Sequence, residues 1–222
     1  MRKFIRWSGL GACFAALTAF LQGCTQNEEL LALLLLLLML GGCSYQLTVE
    51  GTGFGTVAGA DGLIQCDIIN SVASGTCQAE IDSGQLITLT ATPSAGYSFD
   101  SWINCPTAQS NQCNFQEFQD ITITANFVQQ FQLTVSGNGV NAVSGFVTGA
   151  APSNINCTIG SGADTGTCTE FYNAGTVVVL TATPQPPEIF DTWNICPAPA
   201  GNVCTMVMNS DVAVDVEFVP PL

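Results

Sequence analysis

LITLTATPSAGYSFDSW, residues 86–102, returns ninety-one positions later as VVVLTATPQPPEIFDTW, residues 177–193. In the first copy Ile87, Leu89 and Ala91 alternate with Thr88, Thr90 and Thr92, and Val178, Leu180 and Ala182 repeat the alternation in the second. A period of two, carried by Thr and β-branched residues and stopped by Pro93 or Pro184, reads as a half-buried antiparallel strand followed by a turn. The same alternation closes each copy: Ile121, Ile123, Ala125 and Phe127 inward, then Val212, Val214, Val216 and Phe218. No stretch after position 43 carries a helical period. The stretch therefore predicts an all-β protein built from an internal repeat.

Working outward, YQLTV at 45–49 matches FQLTV at 131–135, an offset of 86. From Cys66 onward the offset is 91, so the second copy has five extra residues in its early loop. The cysteines follow the same register: Cys66, Cys77, Cys105 and Cys113, then Cys157, Cys168, Cys196 and Cys204, spaced by 11, 28 and 8 in both sets. An even set in an exported chain implies disulfides, and four cysteines allow three pairings that spacing alone leaves open. Each close pair brackets a hairpin or loop, so the expected bridges are Cys66–Cys77, Cys105–Cys113, Cys157–Cys168 and Cys196–Cys204. Each closes a loop of roughly ten residues and contributes about 2.5–3 kcal/mol on the chain-entropy model. A metal site is the weaker reading, since no C-x-x-C pair exists. Two repeats follow, 44–128 and 131–219, each a small antiparallel β-sandwich or open barrel with two disulfides. Only Gln129 and Gln130 separate them, a linker short enough to limit their freedom.

The charge pattern excludes whole classes of function. Seventeen acidic residues face three basic ones, Arg2, Lys3 and Arg6, and histidine is absent. After Arg6 the chain has no cationic side chain. It thus lacks the Lys and Arg that neutralise phosphates in nucleic-acid binding. Nucleophiles activated by His or Lys, Schiff-base lysines, histidine-held metals and phosphate loops lack their central residue. Salt bridges and Lys–Asn cross-links have no donor. Carboxylates are scattered singly, with no D-x-D-x-D-G loop for calcium.

Residues 1–23 read as a secretory signal: cationic MRKFIR, then an apolar run to Leu21. Leu21-Gln22-Gly23-Cys24 resembles a lipobox, in which a diacylglycerol is attached to the cysteine sulfur. Residues 24–43 contain a leucine-rich run, 30–40, too short to span a bilayer, which ends in a second lipobox-like Leu40-Gly41-Gly42-Cys43. Cys24 is the expected lipidation site on its flanking charges, and Cys43 the alternative.

An aromatic-x-LTV strand, a G-x-G turn at Gly51 and Gly53, LTATP, then Gly96-Tyr97-Ser98-Phe99-Asp100-Ser101-Trp102, a cysteine pair and Ala125-Asn126-Phe127 together resemble the divergent internalin-B-type repeat family, the bacterial repeat domains. The second copy departs at Pro187 and Glu188, which replace Gly96 and Tyr97, and at Val216-Glu217-Phe218. The resemblance implies a repeated module of secreted and cell-surface bacterial proteins, and it implies no catalytic residue.

Trp102 and Trp193 sit beside the second cystine of each copy. As core packing they need no ligand; as exposed rings they are the candidate contacts for a sugar or peptide. Asn156-Cys157-Thr158 matches a glycosylation sequon only formally. The expected function is a non-catalytic, lipid-anchored cell-envelope protein, an outer-membrane lipoprotein facing the periplasm or the cell surface. It acts as a spacer or adhesive interaction module, and the alternative is a glycan- or peptide-binding module. Expected partners are the membrane, through the anchor, and a surface protein or glycan. Neither a cofactor nor an oligomer is called for.

Overall fold

The structure is a computed structural model that describes residues 44–116, 119–137, 144–160 and 163–221. The signal segment 1–23 and the leucine-rich segment 24–43, with Cys24 and Cys43, lie outside the described residues. Every regular element among them is a strand.

Repeat 1 begins with β1 (Ser44–Thr52), β2 (Phe54–Gly59), β3 (Gln65–Ile69), β4 (Val72–Thr76), β5 (Gln78–Asp82), β6 (Leu86–Pro93), β7 (Tyr97–Ile103), β8 (Thr107–Gln109) and β9 (Gln112–Gln116). It closes with the first half of β10 (Ile121–Gly137). One sheet has the order β4-β3-β2-β6-β9-β8, and in the other β5 pairs β1, β1 pairs β10 and β10 pairs β7. The alternating residues of both sheets meet in one core, in which Leu47, Val57, Ile68, Leu89, Ile123 and Ala125 are at most 1% exposed. Burying one full alternate row per strand, at about 25 cal/mol per Å² of apolar surface, is the main stabilising term in so small a domain.

Repeat 2 uses the second half of β10, then β11 (Gly145–Gly149), β12 (Asn156–Ile159), β13 (Thr165–Thr167), β14 (Thr169–Asn173), β15 (Val177–Pro184), β16 (Ile189–Ile195), β17 (Ala198–Ala200), β18 (Val203–Val207) and β19 (Val212–Val219). Its sheets are β13-β12-β11-β15-β18-β17 and a second in which β14 pairs β10, β10 pairs β19 and β19 pairs β16. Leu133, Val147, Val178, Leu180, Val214 and Val216 fill its core.

Three expectations need correction. The sandwich is not wholly antiparallel: Leu47 to Thr52 run parallel to Ile121 to Asn126, and Leu133 to Gly137 run parallel to Val212 to Val216. Alternation is the same in either direction, so the sequence pattern does not distinguish them. Gln129 and Gln130 are not a linker but part of β10, and the boundary between the two compact units falls between Val128 and Gln129. The five-residue insertion is divided. Gly55 lies opposite Pro93 and Gly145 opposite Pro184, so β2 and β11 are offset by 90. Four extra residues therefore precede β11, and the fifth lies between Gly149 and Ile155.

Each parallel pair is started by a carboxylate. Asp120 Oδ1 accepts the Gln46 N–H at 2.8 Å, and Asp211 Oδ1 accepts the Gln132 N–H at 2.8 Å. A carboxylate placed there holds an amide at the beginning of the strand and sets the register of the first strand against the last. Asp211→Ala is expected to cost about 1 kcal/mol, because the bond is exposed. Amide exchange at Gln132 should accelerate about fivefold at that cost, and an unchanged rate would remove this role.

Candidate functional site

The two cystines of each copy stand at different places in the sandwich. Cys66 and Cys77 are joined with their Cα atoms 4.6 Å apart, as are Cys157 and Cys168. These bridges tie β3 or β12 to the segment that begins the edge strand β5 or β14. Cys105–Cys113 and Cys196–Cys204 span 5.8 and 5.9 Å and tie the loop after β7 or β16 to β9 or β18. The inner sulfurs belong to the cores, with Cys66 1% and Cys113, Cys157 and Cys204 0% exposed.

Trp102 and Trp193 complete matching aromatic groups. Phe99 lies 5.3 Å from Trp102 and 6.1 Å from Phe127 between ring centres, and Phe190 lies 6.3 Å from Trp193 and 6.5 Å from Phe218. Trp193 is 6% exposed and Trp102 is half-buried. Both indole N–H groups are buried without a hydrogen-bond partner. A sugar-stacking platform needs an open ring face; Trp193 offers none. A glycine allows the third ring to approach the sheet. A Cβ at Gly55 would lie 2.5 Å from the Phe127 ring, and one at Gly145 would lie 2.4 Å from that of Phe218.

At the divergent turn, the Phe54 and Tyr97 rings pack at a tilt in repeat 1, with centres 5.0 Å apart. In repeat 2 the counterpart of Phe54 is Ser144, whose hydroxyl donates to Gln185 Oε1 at 3.1 Å. A polar contact there replaces an aromatic one.

A polar cluster that the sequence reading missed occurs only in repeat 2. Glu170 on β14 accepts from the Tyr172 hydroxyl, from the Asn154 N–H at 2.8 Å and from the Asn154 side chain at 2.9 Å. Ser153 Oγ lies 2.5 Å from the Tyr172 hydroxyl and 3.4 Å from Glu170, and it accepts the Ile155 N–H at 3.2 Å. These bonds fasten the loop that carries the extra residue. Repeat 1 has Ala79 and Ile81 where repeat 2 has Glu170 and Tyr172, so a tyrosine in a core-facing position was the available signal.

Burial pushes the Glu170 carboxyl up, but the bonds from Tyr172, Asn154 and Ser153 outweigh it and hold the group below 4.5. Burial, and then the bond to Glu170, push the Tyr172 phenol well above 10. A carboxyl lowered on folding stabilises fully above its unfolded value, and the contribution is lost as pH falls through the folded value. Acid should therefore loosen the Ala150–Asn154 loop below about pH 4.5. Glu170→Gln should remove that acid-side slope, read from amide exchange at Asn154 against pH. A slope unchanged in the variant would assign it elsewhere.

One open depression of about 480 Å³ is lined by Thr48, Val49, Glu50, Ala73, Gly75 and Thr76 among others. Among the described residues no three His, Cys, Asp or Glu side chains are grouped to hold a metal ion.

Solved structures similar to this chain include the Bacillus anthracis TIE protein, at 7% identity and TM-score 0.28, covering 78% of this chain and 33% of that one. A streptococcal ancillary pilin matches at 10% identity and TM-score 0.26 over 80% of this chain and 63% of its own. The shaft pilin SpaA from Lactobacillus rhamnosus GG matches at 9% and 0.26, over 81% and 98%. The chain thus spans a third of the first and less than two thirds of the second. No curated protein matches it. The family model of the divergent InlB B-repeat domain matches residues 68–131 and again 153–221, the larger part of each of the two sandwiches. The chain belongs to the divergent InlB B-repeat family and carries two copies in tandem.

Proposed function

We propose that the chain is a non-catalytic module of the bacterial cell envelope, anchored by lipid at Cys24 or Cys43, with the two repeats acting as a spacer or adhesive segment. The observation that carries this reading is two consecutive repeats, each closed by two cystines, behind a lipobox-like cysteine. Disulfides of this density persist in oxidising compartments. A chain without His, Lys or Arg after position 6 also has little chemistry to offer a substrate. The glycan alternative rested on Trp102 and Trp193 as open rings, and burial of Trp193 leaves it without its second contact.

The test is the intact mass of the protein extracted from its own membrane, before and after reduction. The expected species begins at Cys24 or Cys43, carries acyl chains and gains eight hydrogens when its four cystines are reduced. An unacylated species would overturn the anchor. A mass unmoved by reductant would overturn the oxidised envelope reading.

A further inference from the structure

The parallel pairing of first and last strands fixes where each repeat receives a pull. In repeat 1 the pairs run from Leu47 beside Ile121 to Thr52 beside Asn126, and in repeat 2 from Leu133 beside Val212 to Gly137 beside Val216. The chain enters repeat 1 at the start of β1 and leaves it along β10, past the far end of the same ladder. Ser44 precedes the first pair and Val128 follows the last, so the two lie about 30 Å apart along the strands at about 3.3 Å per residue. Repeat 2, entered at Phe131 and left at Val219, has the same arrangement. An antiparallel pair of terminal strands would instead bring entry and exit to one end.

The direction of a pull decides how such a ladder yields. Tension between opposite ends of two paired strands shears all their bonds together, whereas tension between ends on one side peels the bonds singly. Side chains close both ladders. Asp120 holds the Gln46 N–H where the first begins, and Thr52 Oγ1 donates to Asn126 Oδ1 at 3.0 Å where it finishes. In the second, Asp211 holds the Gln132 N–H and Ser136 Oγ donates to Asp215 Oδ2 at 3.0 Å. Different residues thus make the same closure in both copies. We propose that each repeat is a tension-bearing clamp, in which a pull between its chain ends is carried in shear by the parallel ladder of its first and last strands.

The source of the tension rests on the spacer or adhesive reading; the clamp itself does not. β10 runs unbroken from Ile121 to Gly137, so load leaving repeat 1 enters repeat 2 through the same strand. All four cystines lie between the terminal strands in sequence, within 66–113 and 157–204. They therefore take load only after a ladder parts, and then they limit the length released. In each repeat they enclose stretches of 11 and 8 residues. About 65–69 residues per repeat remain free to extend, a gain of about 20–22 nm at some 3.5 Å per residue once the folded length is subtracted. With the cystines open the gain would be about 26–28 nm.

The test is forced unfolding of the full oxidised chain, solubilised from membrane in mild detergent and held between two handles, which reads the barrier to unfolding. After Lys3 the chain has no lysine, so an introduced pair of exposed lysines takes the handles. Q46K/Q129K places them at opposite ends of the repeat 1 ladder, and Q46K/Q119K at the same end. At equal loading rate the first pair should need at least about twice the force of the second, because the whole ladder shares the load. Each event should lengthen the tether by about 20 nm. Q129K/P220K against Q129K/S210K makes the same comparison in repeat 2, and decides the matter where a repeat 1 variant does not fold. Equal forces in the two directions, or a lower force across opposite ends, would overturn the clamp, and a step near 26 nm would overturn the limit set by the cystines. Neither result depends on acylation, so failure of the anchor in the mass measurement and failure of the clamp are separate findings.

Discussion

Replacing Trp193 by alanine should destabilise repeat 2 by about 3–5 kcal/mol, the range for removing a buried large aromatic. The ring is 6% exposed and lies in the core beside Phe190, whose own ring meets Phe218. Phe218 is held against the sheet only because position 145 is glycine, so the space left by the indole is bordered by side chains already packed tightly. Such a site relaxes poorly, which favours the upper part of the range. Trp102→Ala should cost less, because its ring is half-buried to begin with. Amide exchange gives the readout: β15 and β18 lose protection in the Trp193 variant, whereas β6 and β9 do not. A loss below about 1 kcal/mol would mean that the indole is not a core element, and the ligand-contact reading of Trp193 would return.

Reduction of the cystines should unfold both repeats at ambient temperature. Each repeat is a domain of roughly 85–90 residues, a size at which the buried fraction of the chain is modest. Two loops of about ten residues each contribute about 2.5–3 kcal/mol by the chain-entropy account, so a repeat loses about 5–6 kcal/mol when both open. Total stabilities of single domains lie near 5–15 kcal/mol. Cys113 and Cys204 also sit wholly inside their cores, so opening the second bridge frees the loop that follows Trp102 or Trp193 in the chain. The near-ultraviolet circular dichroism of the tryptophans in reductant is the measurement. A spectrum and melting curve unchanged by reduction would show that the sheets hold without their bridges.

The two predictions differ in what they draw on. For the second, the repeated spacings of 11, 28 and 8 made two cystines per copy legible, whereas spacing left three pairings open in each copy and the structure decided for the local ones. The first was not legible. Trp102 and Trp193 occupy equivalent positions in sequence, and yet Trp193 is core and Trp102 half-buried. A sum of contacts from several strands decides burial, and local pattern records only a strand's own alternation.

The amino-acid sequence by itself determined the all-β class, the tandem repeat, the core rows Ile87, Leu89, Ala91 and Val178, Leu180, Ala182, and the exclusion of chemistry that needs a cation. These follow from periodicity, register and composition, which are properties of the chain read along its length. Only the tertiary structure decided that the first and last strands of each copy run parallel, that Asp120 and Asp211 hold their amides across 74 and 79 positions, and that Glu170 fastens the loop at Asn154. Each of these joins residues distant in sequence, and such a meeting is fixed by how strands order themselves around a core, which no local alternation encodes.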